Sequence, residues 1–252
     1  MKRLLVVLLL LLLMGCKKNE ASVIVSENVL LENTIYETKV YHFKTNKPGS
    51  KVVIIGGIHG DEIAGYSAAE QLIEDNFFTG EVLLIPRANI LATKLNLRYP
   101  GSNNKGEYEG IIYSDLNRSL PGDTTGTMTQ QMAAAFTLLI TEFDPIYIID
   151  LHESLRSYKD QNPRIGDSLI YSNKESAWIA LQVLEHFNET YLEAGDVVFR
   201  LDNSAPSGSF NQYFGSLGYI TLTIETNRQL SLTKRISQQL DLVKSFFHII
   251  QS

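Results

Sequence analysis

Three short polar runs, each following an apolar run, hold the residues best suited to chemistry. They are Gly56-Gly57-Ile58-His59-Gly60-Asp61-Glu62, Asp150-Leu151-His152-Glu153 and Glu225-Thr226-Asn227-Arg228. His59, Glu62 and His152 supply two imidazoles and a carboxylate, a donor set suited to one Zn²⁺ that leaves a fourth position for water. The three-residue step from His59 to Glu62 lets both face one ion from a single turn. Glycines at 56, 57 and 60 let the backbone bend there without Cβ clashes. An ion held this way lowers the pKa of its water from ~15.7 to roughly 7, and a nearby carboxylate is then needed to take the proton. Glu225, leaving an apolar run, fits that role. Taken singly, each residue has a plainer use as a core histidine, a helix cap or a surface charge. Their joint placement at the ends of apolar runs is what argues for one metal centre. His42, His186 and His248 read as surface or packing residues.

The elements that must position these residues alternate along the chain. Short β-branched or aliphatic runs at 51–55, 82–85, 146–149 and 219–224 predict buried strands, with shorter candidates at 169–171 and 197–199. Helical spacing predicts helices over 62–77, 128–143, 176–192 and 232–250, the last with Leu240, Val243 and Phe247 on one face. Residues 92–126 are rich in Gly, Asn, Ser and Pro and read as a long structured loop, the kind that is usually functional inside a compact domain. Alternating strands and helices argue for an α/β layer fold with a largely parallel or mixed central sheet. Ligands in such sheets bind past the carboxyl ends of the strands, where the polar runs lie.

Composition narrows the function classes. The chain has 252 residues, 44% of them hydrophobic, enough for one sizeable core and too few for two comfortable domains. Lys2 and Arg3 precede an apolar run from Leu4 to Met14, the layout of a signal peptide over residues 1–15. That run is about half of the ~20 residues a membrane-spanning helix needs. Leu13-Met14-Gly15-Cys16 resembles a bacterial lipobox, which implies cleavage before Cys16 and a lipid on its thiol. Cys16 is the only cysteine, so the mature chain needs no disulfide. The expected organisation is a signal peptide over 1–15, a lipid-anchored tether over 16–33 and a hydrolase domain over 34–252, at the bacterial cell envelope. The net charge is −6, and removal of Lys2 and Arg3 takes it to −8. An acidic surface repels phosphate backbones, which argues against a nucleic-acid partner.

Four ordered motifs carry a family resemblance: Gly57-Ile58-His59-Gly60-Asp61-Glu62, Asp115-Leu116-Asn117-Arg118-Ser119-Leu120-Pro121-Gly122, Asp150-Leu151-His152-Glu153 and Thr223-Ile224-Glu225-Thr226. Over about residues 51–225 the chain resembles the zinc carboxypeptidase superfamily, which includes carboxypeptidases, murein peptide amidases and the succinylglutamate desuccinylase/aspartoacylase branch. The resemblance implies a three-layer α/β fold with a mixed, mostly parallel sheet and helices on both faces. It implies His59, Glu62 and His152 as ligands of one zinc ion and Glu225 as the base that passes its proton to the leaving amine. It further implies that Asn117 and Arg118 grip a substrate carboxylate and that Arg98 polarises the scissile carbonyl. Phe210, in Ser207-Gly208-Ser209-Phe210, is implied to shape the side-chain pocket. The tyrosine of classical carboxypeptidases is absent from the loop 202–208. The compact length and export signal point toward an amidase or periplasmic carboxypeptidase acting on a peptide or cell-wall stem peptide with a free carboxylate. N-acyl amino acid deacylation and a non-catalytic surface lipoprotein are the other readings.

Overall fold

The computed structural model describes residues 23–75, 78–160 and 165–251. The expected signal peptide over 1–15 and the expected lipidation site Cys16 lie outside the described residues. Among the described residues, ten strands and six α-helices follow one another as β1 (Val23–Leu30), β2 (Thr38–Thr45), β3 (Lys51–Gly56), α1 (Ile63–Gln71), β4 (Glu81–Ile85), α2 (Ile90–Leu95), β5 (Glu107–Tyr108), β6 (Ile111–Ile112), α3 (Met128–Phe143), β7 (Tyr147–Ser154), β8 (Ser168–Tyr171), α4 (Lys174–Thr190), β9 (Arg200–Asp202), α5 (Phe210–Ser216), β10 (Ile220–Asn227) and α6 (Leu232–Gln251). Eight strands form one sheet in the order β1-β2-β4-β3-β7-β10-β8-β9, and β5 and β6 form a separate hairpin. The central strands β4, β3, β7 and β10 are mutually parallel. The pairs β1–β2, β2–β4 and β10–β8 are antiparallel.

The sheet is covered on both faces because apolar runs fill much of its central strands, and their period of two divides the apolar side chains between two cores. Val52, Ile54, Ile149, Leu151, Leu222 and Ile224 pack with α1, α4 and α6. Val53, Ile55, Leu83, Ile85 and Ile148 pack on the opposite face with α2, α3 and α5. This is the expected three-layer arrangement. Helix α3 begins with a capping box between Thr127 and Gln130 and ends at Asp144, which turns left-handed before Pro145.

Several boundaries differ from expectation, each for a local reason. Residues 23–30, expected in the tether, form edge strand β1, paired along its length with β2. The helix expected over 62–77 gives way after Gln71 to a 3₁₀ turn, Leu72–Glu74, and Asp75 is extended. The strand expected at 197–199 forms three residues later, because β9 takes its place from pairing with β8 rather than from its own hydrophobicity; Val198 stays about half exposed. The expected loop 92–126 contains the end of α2, the β5–β6 hairpin and a 3₁₀ turn, Leu116–Arg118. The buried face of α6 includes Gln238, Gln239, Leu242, Val243, Phe246 and Phe247, so Val243 and Phe247 face the core as expected, while Leu240 is partly buried. Among the described residues no helix is long and apolar enough to cross a membrane.

Candidate metal centre

The polar runs meet at the carboxyl ends of the parallel strands. The chain turns sharply after β3: Gly57 has φ +67°, and a Cβ on Gly60 would lie 2.0 Å from the Ala92 carbonyl carbon of α2. That close approach admits no side chain. It brings His59 to the sheet and places Glu62 as the residue that opens α1.

The strands run further than their apolar stretches. β7 continues to Ser154 and β10 to Asn227, so His152 and Glu225 stand inside strands rather than after them. They are direct partners in the parallel register. Alternation puts Asp150 and His152 on one face of β7 and Leu151 and Glu153 on the other. Glu225 shares the His152 face, because Leu222 and Ile224 take the opposite side.

One nitrogen or oxygen from each of His59, Glu62 and His152 lies within 4.8 Å of the others, and all three side chains are buried. Both imidazoles turn Nδ1 toward Glu62: His59 Nδ1 lies 2.8 Å from Oε1 and His152 Nδ1 lies 2.8 Å from Oε2. Each Nε2 faces a separate carboxylate, Asp115 at 3.0 Å for His59 and Asp150 at 2.8 Å for His152. A carboxylate behind each ring fixes its tautomer and orientation and leaves Nδ1 as the inward donor. This donor set fits a divalent ion.

The charge balance of the centre also favours a cation. Burial works to raise the Glu62 carboxyl, but the imidazoles of His59 and His152 outweigh it and hold the group well below the usual range. Burial works to lower His152, yet Asp150 and Glu62 hold it well above the usual histidine value. Burial pushes Glu225 up to about 8, reinforced by Glu62 and Asp150 and opposed by His152. Glu225 Oε2 and Asp150 Oδ1 are buried without hydrogen-bond partners among the described residues.

The other expected residues divide. Arg98 is near the centre: its Nε and Nη2 donate to Asp115 Oδ2 at 3.1 and 3.0 Å, and Nη1 donates to Glu62 Oε1 at 3.4 Å. Burial works to lower its pKa, but Asp115 and Glu62 outweigh it and raise the value further. Asn117 is buried, with Nδ2 3.3 Å from His152 Nε2 and Oδ1 accepting from the Phe210 backbone N–H at 3.1 Å. Arg118 is exposed and donates to the Asn117 carbonyl at 2.6 Å. These residues line one cavity of about 330 Å³ with the three metal donors and Glu225. Phe210 requires correction: it is fully buried in the core beside Phe136 and Phe214 and does not line the cavity. Ser209 caps α5 and turns the Phe210 ring inward, so Pro206, Ser209, Leu155, Ile165 and Ile170 wall the cavity instead.

Several supporting residues are not singled out by sequence pattern. Asp115 sits in the second motif and orients both His59 and Arg98. Asp150 stands two residues before His152, hence on its face. Glu153 Oε2 accepts from the Ala64 N–H at 2.8 Å, its Oε1 pairs with Arg235, and its backbone N–H donates to Glu62 Oε2 at 2.9 Å. Gln239 of α6 donates to the His152 carbonyl at 2.7 Å and to Thr226 Oγ1 at 3.2 Å. Polar residues interrupting the apolar stripe of α6 were the available signal for Arg235 and Gln239.

Comparison with known proteins gives consistent findings. The family model of the succinylglutamate desuccinylase/aspartoacylase catalytic domain matches residues 48–250. An N-alpha-acetyl-L-2,4-diaminobutyric acid deacetylase from Halomonas elongata is 29% identical over 160 residues, which is 62% of this chain and 42% of that protein. The mDAP-bound form of Helicobacter pylori Csd4, a D,L-carboxypeptidase, has a TM-score of 0.68 at 17% identity, covering 81% of this chain and 51% of that one. The product-bound ectoine utilization protein EutE (DoeB) from Ruegeria pomeroyi has a TM-score of 0.65 at 16% identity, covering 93% and 72%. The chain therefore spans about half the length of the deacetylase and of Csd4. The matched branch is the one that the sequence ranks second, behind an amidase or periplasmic carboxypeptidase, on the expectation of an export signal. With residues 48–250 matched and the same mixed sheet in its structural neighbours, the chain belongs to the succinylglutamate desuccinylase/aspartoacylase family, within the zinc carboxypeptidase-like superfamily.

Proposed function

We propose that this chain is a one-zinc amide hydrolase acting on a small substrate with a free carboxylate beside the scissile bond. The observation that supports it most is the inward pairing of two Nδ1 atoms with one carboxylate, beside an unpartnered Glu225 oxygen. His59, Glu62 and His152 would hold the ion, which supplies Lewis acidity to a bound water and to the substrate carbonyl. Glu225 accepts the proton of the attacking water at its free Oε2. Positive charge held at the three donors favours its ionised form, as a base requires. The same carboxyl then returns the proton to the departing amine nitrogen. Arg98, already oriented by Asp115, supplies N–H donors for the carbonyl oxygen as negative charge develops there. Arg118 meets the substrate carboxylate with a planar fork, and Asn117 holds the loop that presents it.

Deacylation of an N-acyl amino acid is the reading we favour, because the family model and the similar deacetylase both belong to that chemistry. Removal of a residue from a peptide or cell-wall stem peptide is the second reading, supported by the likeness to a D,L-carboxypeptidase and by the export signal. Metal-quantified protein assayed on N-acyl amino acids, peptides and muropeptides, with and without chelator, separates them. Hydrolysis of acyl amino acids alone supports deacylation, and hydrolysis of peptides alone overturns it. A folded protein that takes up no zinc and hydrolyses none of these would instead be a non-catalytic binding lipoprotein.

We also propose attachment to the bacterial cell envelope through a lipid on Cys16. Cys16→Ser is expected to move the protein from the membrane to the soluble fraction. Unchanged membrane retention would contradict the anchor.

A further inference from the structure

Asp61 and Arg228 each stand inside one of the polar runs, yet neither binds metal nor moves a proton in the mechanism above. Arg228 Nη1 donates to Asp61 Oδ2 at 2.9 Å. The Arg228 backbone N–H donates to the Ser154 carbonyl, also at 2.9 Å. Asp61 lies between the donors His59 and Glu62, Ser154 lies two residues past His152, and Arg228 lies three residues past Glu225. One residue therefore ties together all three segments that build the centre.

The sheet itself does not make this connection. β3 and β10 are separated by β7, so no ladder hydrogen bond joins the turn after β3 to the end of β10. Both side chains line the cavity wall and are each 27% exposed. An ordinary surface pair in such a position contributes little to stability, so its effect should appear in geometry.

We propose that the Asp61–Arg228 pair is a positioning clamp that holds the His59–Glu62 turn at a fixed distance from Glu225. For the effect on turnover, this rests on the hydrolase reading above. The pair sits behind the ligands as an outer support, and outer supports of metal sites typically change affinity or activity ~10–100-fold when removed.

The test compares Arg228→Ala, Arg228→Lys, Asp61→Ala and the double variant Asp61→Ala/Arg228→Ala. Zinc affinity is measured by competition with a chromophoric chelator, and kcat and KM are measured on the best substrate. Each alanine variant is expected to weaken zinc binding about tenfold and lower kcat about tenfold, with KM within about twofold. The double variant is expected to be no worse than either single one. Arg228→Lys, or added guanidinium, should partly restore Arg228→Ala but not Asp61→Ala. Unchanged zinc affinity in both single variants, or losses that add in the double variant, would overturn the clamp. A rise in KM alone would overturn it by making Arg228 a substrate contact. The zinc measurement needs no substrate, so it tests the clamp even if the hydrolase reading fails.

Discussion

The two halves of β7 and β10 are both buried and differ in chemistry: the charged side chains lie at the middle and in the second halves. Ile148, Ile149 and Leu222 in the first halves are 1–2% exposed. Asp150, at the middle of β7, and His152 and Glu225 in the second halves are 2–6% exposed. The first halves stabilise the fold by removing apolar area from water, about 25 cal/mol per Å². The second halves bury charge, which costs free energy unless it is paired. Some of that pairing is present, as in His152 with Asp150 and Glu62, and some is missing, as at Glu225 Oε2. The same strands thus act as scaffold at one end and carry donors of the candidate metal centre at the other.

The sharpest way to break this comparison is to remove a donor. His152→Ala is expected to abolish tight metal binding and cut turnover by about 10⁴-fold or more, since base catalysis alone contributes ~10²–10⁴. Metal content and turnover of the purified variant check this. Glu225→Gln should keep the metal and lose about 10²–10⁴-fold in kcat. Full metal content with near-normal turnover would remove Glu225 from the mechanism.

Phe210→Ala tests the apolar side. A buried Phe replaced by Ala typically costs about 3–5 kcal/mol. The expected result in chemical denaturation is a loss of that size, with the ratio of activities on different substrates unchanged. A changed substrate preference at undiminished stability would return Phe210 to the pocket.

The smallest effect is a pH dependence of the metal-free protein. The Glu225 pKa is raised from 4.5 to about 8 on folding, so the folded chain binds this proton more tightly than the unfolded chain. Its contribution to stability is therefore full below pH 4.5 and is lost as pH rises toward about 8. Unfolding midpoints measured across that window should fall in the wild type and fall less in Glu225→Gln.

How much of this was readable in advance follows the same division. The central strands and α3 were legible because a short apolar run, or an apolar stripe of helical period, depends on local residues alone. Edge strands β1 and β9 were not, because their positions are set by partners distant in sequence. At the site, His59, Glu62, His152 and Glu225 stood out by type and by the runs before them. Their supports did not: Gln239 and Arg235 reach the centre from a helix 80 or more residues after His152. Phe210 was misplaced because a motif locates a segment, whereas the cap at Ser209 decides which way its ring turns.

Calorimetric titration of metal-stripped protein with Zn²⁺, for the wild type and for His59→Ala and His152→Ala, bears most directly on the metal centre. One ion per wild-type chain, with binding lost in both variants, is the expected result. No binding to the folded wild type, or undiminished binding to both variants, would contradict it.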